Sequence, residues 1–160
     1  MTLDTGKRLK WPLIVTAILV ILRIILEQLG APDSINNLLG VAWLHFLAPF
    51  YLAFRIYASR SKWPYRALFK DLLLYTVYTR LMVLVTYWSA YLWQWQSPRF
   101  LITQGGNVGD DIGLLQGYLV IPVRNAAVWM VMAMVIGLVL GYVLLLIKEL
   151  SNKVEDADKS

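Results

Sequence analysis

The chain has no cysteine and a single histidine, His45. The first absence excludes disulfides, thiol nucleophiles and cysteine metal sites, and the second excludes a zinc pair of the HExxH kind. No GxSxG elbow and no Asn-x-Ser/Thr sequon occurs, so no catalytic residues are identified and glycosylation gives no clue to topology. Charge is scarce as well. Charged residues make up 16% of the 160 positions against 59% hydrophobic ones. With a mean hydropathy of +0.59, the chain is too apolar for an ordinary water-soluble domain.

The net charge of +5 would suit nucleic acid only if the basic residues shared one exposed surface. They gather instead at the ends of long apolar runs, so no nucleic-acid partner is expected. A hydrocarbon layer needs about 20 helical residues per crossing, and four runs qualify, near 11–29, 35–57, 72–93 and 126–147. The expected fold is an all-α integral membrane protein, a four-transmembrane-helix bundle occupying residues 1–150, with a disordered cytoplasmic tail over 151–160. Lys7, Arg8 and Lys10 before Leu13 to Leu22 resemble the front of a signal peptide. Arg23 and Glu27 prolong that segment and Pro32 spoils a cleavage site, so it reads as a retained anchor.

Local chemistry sets the expected boundaries. Pro12 suits a first helical turn, Gly30 to Ser34 forms a turn, and Asp33 or Ser34 is placed to cap the next helix. Pro49 should kink the second span. A helix running unbroken from Ile112 to Ile147 would extend about 54 Å, well beyond a bilayer. The expectation is therefore a break at Pro122, with Leu114 to Ile121 a short interfacial or re-entrant segment. Tyr87, Trp88, Tyr91, Trp93 and Trp95 read as an interfacial aromatic belt. Of the lysines and arginines near span ends, eleven fall on the side of the termini and two, Arg99 and Arg124, on the other. Positive residues favour the cytoplasm, which puts both termini there.

Ionisable groups within spans are costly and turn toward protein or water. Arg23, Glu27, His45 and Arg80 are the candidates for a ligand site or a polar core. Arg23 and Glu27 stand four residues apart on one face, as an ion pair requires, and Thr16 shares that stripe. Thr76, Arg80, Tyr87 and Tyr91 fall in one sector of the third helix, and Arg80 has no partner on its own helix. It is the best single candidate, for an anion or a quinone carbonyl. His45 lies between Ala42 and Ala48, small residues that favour helix contact. Ala133, Gly137 and Gly141 form a small-residue ridge that packs either within the chain or against another copy. The loop from Gly105 to Asp111 lacks the lysine of a P-loop and the ligand spacing of an EF-hand, so turn chemistry is expected and no metal.

Three roles follow. The leading expectation is a non-catalytic accessory or scaffold subunit of a larger membrane assembly, partnered by the lipid bilayer and by other subunits or copies of itself. The alternatives are an oligomeric transporter or channel using the Arg/Glu/His cluster, and a redox subunit holding haem or quinone near His45. The expected location is a bacterial inner membrane.

Overall fold

The computed structural model describes residues 5–158, and side chains as far as residue 152. The described residues form five α-helices: α1 (Thr5–Gln28), α2 (Asp33–Leu38), α3 (Ala42–Ala58), α4 (Pro64–Leu92) and α5 (Ile121–Asp158). The connection 93–120 adds two 3-10 turns, Pro98–Phe100 and Ile102–Gln104, and one isolated bridge between Leu101 and Val108. Three segments, α1, Asp33–Ala58 and Gln116–Asn152, are long and apolar enough to cross a membrane, as a multi-pass membrane protein requires. At 29 residues α4 is long enough too, but Asp71, Thr76, Thr79, Arg80 and Thr86, all buried, dilute its apolar content.

The bundle turns polar groups inward and apolar ones outward. Ile14, Ile18, Ile21 and Ile25 recur at helical spacing along α1 and are all exposed, as are Val128, Met132, Val135 and Val139 on α5. Inside, Leu52, Ile56, Leu68, Leu72, Tyr75 and Leu145 form the main apolar core. α5 packs along both α3 and α4, and α1 packs against the same two helices. The close approach of α5 rests on its small residues. A Cβ at Gly137 would lie 3.3 Å from Leu72 and 3.4 Å from Pro49, and one at Gly141 would lie 2.5 Å from Leu68. With Ala133 also buried, the ridge is filled by α3 and α4 of the same chain.

Several boundaries differ from those expected. The segment 35–57 is not one helix, because Leu39, Gly40 and Val41 separate α2 from α3; glycine is a weak helix former and Gly40 marks the break. Asp33 and Ser34 lie inside the first turn of α2, which has no side-chain cap. Lys7, Arg8, Lys10, Arg66 and Lys70, outside the expected spans, are helical, since α1 begins at Thr5 and α4 at Pro64, a proline well placed at a first helical position. α5 continues to Asp158, through most of the segment expected to be disordered; no proline or glycine follows Gly141 to stop it. Residues 1–4 of the basic lead and 159–160 of the tail lie outside the described residues.

The largest correction concerns Pro122. Helix runs without interruption from residue 114 to 158, so Leu114 to Ile121 is the first part of one long helix rather than a separate interfacial or re-entrant piece. The helix passes the proline by widening into a single π-turn over Gln116–Val120. Proline lacks the N–H that would serve the carbonyl four residues back in α geometry, or five back in π geometry. Those carbonyls belong to Tyr118 and Gly117. Trp88 Nε1 donates to the first at 2.7 Å and Asn107 Nδ2 to the second at 2.8 Å. A proline in a membrane helix is tolerated when neighbours satisfy the backbone it strands, and here α4 and the long connection supply both donors. Trp88→Phe should therefore cost about 1 kcal/mol of stability, read as a lower melting temperature in detergent.

The aromatic belt is correspondingly only part of the story. Trp88 and Trp93 are exposed, but Tyr87 and Trp95 pack against Phe100 in a second apolar cluster with Ala90 and Val108. Gly106 is buried against the Phe100 backbone, where a Cβ would collide at 2.1 Å. The aromatics of α4 thus anchor the connection, and the loop from Gly105 to Asp111 is folded down by packing and turns.

Candidate functional site

Each of the four ionisable candidates lies in the half of the bundle nearest the α1–α2 turn and the 93–120 connection. Arg23 and Glu27 stand in the last two turns of α1, and Arg23 Nε lies 2.8 Å from Glu27 Oε1. Gly40, at the α2–α3 break, leaves room for this arginine: a Cβ there would sit 3.3 Å from Arg23 Nη1. His45 is in the first turns of α3, buried against the Tyr75 ring of α4 at 5.7 Å between centroids. Its Nδ1 is 3.0 Å from the Val41 carbonyl, so Nδ1 carries the proton and donates. That leaves the Nε2 lone pair for Arg80 Nη2, 3.2 Å away. Both ring nitrogens are thereby engaged.

Arg80 is 9% exposed. Its guanidinium lies over the Trp129 ring of α5, 5.6 Å from the centroid, and its Nε has no hydrogen-bond partner. Among the described residues no carboxylate pairs with it. A second arginine completes the arrangement. Arg99, carried by the Pro98–Phe100 turn, brings Nε to 2.9 Å from Glu27 Oε2, off the line of N–H donation, so that Nε and Nη2 lack acceptors. Its guanidinium also covers the Phe100 ring at 4.3 Å. Burial lowers Arg99 from the ordinary arginine range to about 10, with the Glu27 carboxylate opposing the shift. At neutral pH it stays a cation.

These side chains surround a cavity of about 200 Å³ lined by Arg23, Arg80, Arg99, Tyr87, Asn125 and Trp129 together with apolar side chains of α3, α4 and α5. Three arginines line it. Glu27 stands behind two of them, shared between Arg23 and Arg99, with its side chain 3% exposed. No carboxylate lines the cavity itself among the described residues. The chemistry on offer is recognition of an oxyanion: arginine presents a rigid fork of donors matched to carboxylate and phosphate oxygens, and partly buried charges are screened less than exposed ones.

The structure thus brings Arg23, Glu27, His45 and Arg80 into one connected cluster and places Ala133, Gly137 and Gly141 elsewhere, in a helix contact. Sequence reasoning missed Arg99, which counts there only as a positive residue outside the spans. It also missed Arg8 and Asp71, a buried pair at the opposite end of the bundle, and the Thr16 to Tyr75 hydroxyl contact at 3.0 Å between α1 and α4. A signal for the latter pair of contacts exists: Asp71, Tyr75 and Thr79 repeat every four residues, a polar stripe beside the one containing Arg80. No protein family, curated protein or solved structure matches this chain.

Proposed function

We propose that this is a four-span protein of a bacterial inner membrane, with both termini cytoplasmic, that captures an anionic group, phosphate or carboxylate, between its helices. α1, the α2–α3 pair, α4 and α5 are the spans, and the bias of lysine and arginine toward the side of the termini supports the orientation. The cavity then belongs to the outer half of the bundle. The observation that carries the reading is Arg80: a buried guanidinium, held by a neutral imidazole and an indole face, whose Nε has no hydrogen-bond partner, on a residue that lines a cavity together with two further arginines. An uncompensated buried charge costs several kcal/mol, and a partner of opposite sign relieves that cost.

The scaffold reading draws on the small size, the absence of enzyme motifs, the aromatic belt and the ridge of Ala133, Gly137 and Gly141, and of these the ridge faces the chain's own α3 and α4. The anion site is the better supported function. Melting curves of the purified protein in an uncharged detergent, titrated with phosphate- and carboxylate-headed amphiphiles, test it. A saturable rise is expected, equivalent to about 2.7 kcal/mol at a ligand concentration one hundred times Kd. Arg80→Gln should weaken binding at least about tenfold, the loss of one charge-assisted contact. A flat titration for every anion, or equal saturation by Arg80→Gln, overturns the proposal.

A further inference from the structure

Charge, size and the direction of opening narrow the class of anion. Counting the groups at the cavity, Arg23, Arg80 and Arg99 contribute three positive charges and Glu27 one negative. The balance is two positive charges. A monoanion, such as a carboxylate or a phosphodiester, would leave one of them uncompensated in a medium of low dielectric, whereas a dianion would cancel both. At about 200 Å³ the cavity is smaller than the roughly 300–1,000 Å³ of pockets that enclose a drug-sized ligand. It has room for a headgroup and not for the molecule that bears it.

The remainder of that molecule has an apolar way out. Ala42 at the start of α3 and Trp129 on α5 both line the cavity and are both exposed, on the surface a membrane protein turns to lipid. Arginines reach the cavity from different elements, Arg23 on α1, Arg80 on α4 and Arg99 on the long connection, and Nε of Arg80 and Nη2 of Arg99 have no hydrogen-bond partners. A terminal phosphate offers oxygens on several sides to such a set, while a diester has two of its oxygens tied to carbon.

Resting on the anion-site reading, we infer that the ligand is a phosphomonoester dianion at the end of a lipid, held by Arg23, Arg80 and Arg99 with its hydrocarbon left in the bilayer beside Ala42 and Trp129. Free inorganic phosphate shares the headgroup chemistry, so the test separates the two sources.

The probes are phosphatidic acid, a phosphomonoester; phosphatidylglycerol, a phosphodiester; and inorganic phosphate, each titrated into the intact protein in uncharged mixed micelles and followed by tryptophan fluorescence and native mass measurement. Phosphatidic acid is expected to bind one to one, at least about tenfold tighter than phosphatidylglycerol at pH 7.5, from one additional compensated charge. Its affinity should rise between pH 5 and pH 8 as the second phosphate ionisation, near about 6, completes the dianion. Phosphatidylglycerol should show no such rise. The charged and titratable groups at the site are Arg23, Arg80, Tyr87 and Arg99, which line it, with Glu27 behind two of the arginines and His45 against Arg80; α5 contributes Asn125 and Trp129, which carry no ionisable group. Any protein group here that took up a proton on acidification would make the site more positive, which would strengthen anion binding at low pH. The expected profile runs the other way and therefore reports the ligand. Wild-type protein suffices for this measurement, so it stands even if Arg99→Gln fails to fold; where that variant folds, its preference for phosphatidic acid should shrink. Equal binding of the two lipids overturns the dianion inference and leaves the anion site standing. Inorganic phosphate binding as tightly as phosphatidic acid overturns the lipid source. Binding of none of the three overturns both this inference and the reading beneath it.

Discussion

Glu27→Gln should be among the most damaging single substitutions in the protein, lowering its stability by about 3 kcal/mol or more. The carboxylate is buried and touches two guanidiniums, Arg23 at 2.8 Å and Arg99 at 2.9 Å. Glutamine fills the same space and accepts hydrogen bonds, so the loss is one of charge rather than packing. Three arginines would then share one end of the bundle with no acid among them. The same substitution should have the opposite effect on ligand: with the balance at the cavity raised from two positive charges to three, an added oxyanion should bind more tightly and restore more of the melting temperature than it adds to the wild type. Thermal unfolding in uncharged detergent, with and without a saturating phosphate amphiphile, reads both signs. A variant that melts with the wild type would mean that Glu27 does not hold the arginines, and one that is destabilised but not rescued by anion would mean that the cavity is not where their charge is answered.

How much of this was legible in the sequence follows from which forces are local. Arg23 and Glu27 are one helical turn apart, so their pairing is written in the spacing. The small-residue ridge on α5 is visible for the same reason, although only the fold says which helices fill it. That Arg80 and His45 meet requires only that two helices run side by side with matched depth, and the sequence supports that much. Arg99 is different in kind. It reaches Glu27 because Phe100 is buried against Tyr87 and Trp95 and drags its neighbour into the bundle, a consequence of loop packing that no helical period announces.

The boundaries failed for a related reason. Pro122 breaks a helix in isolation, and the sequence cannot show that Trp88 and Asn107, separated from it by many residues, will take up the carbonyls it strands. Gly40, by contrast, interrupts a run that hydropathy reads as continuous, because a hydropathy average weighs side chains and ignores backbone preference. In both cases the local rule was sound and a tertiary or backbone term decided the outcome.

Asp71 provides the second large effect. It is fully buried, and both its oxygens face the guanidinium of Arg8 on α1, Oδ1 at 3.2 Å and Oδ2 in a shorter contact from Nε. Asp71→Asn removes the negative charge and keeps the shape, which should cost about 3–5 kcal/mol, the usual penalty for breaking a buried ion pair from one side. Arg8 also meets the Thr5 hydroxyl at 3.4 Å, an uncharged partner. The double variant Arg8→Met with Asp71→Leu takes both charges away and should recover most of that loss, since well-packed apolar replacements of buried pairs are close to neutral. A double-mutant cycle on melting free energies measures the coupling directly. The pair sits at the end of the bundle opposite the cavity, so Asp71→Asn should lower stability while leaving anion affinity unchanged in the fraction that stays folded. Glu27→Gln moves both quantities. If instead the double variant is as unstable as the sum of its parts, the two charges do not act as a pair, and the lock between α1 and α4 must be assigned to their apolar contacts and to the hydroxyl bond between Thr16 and Tyr75.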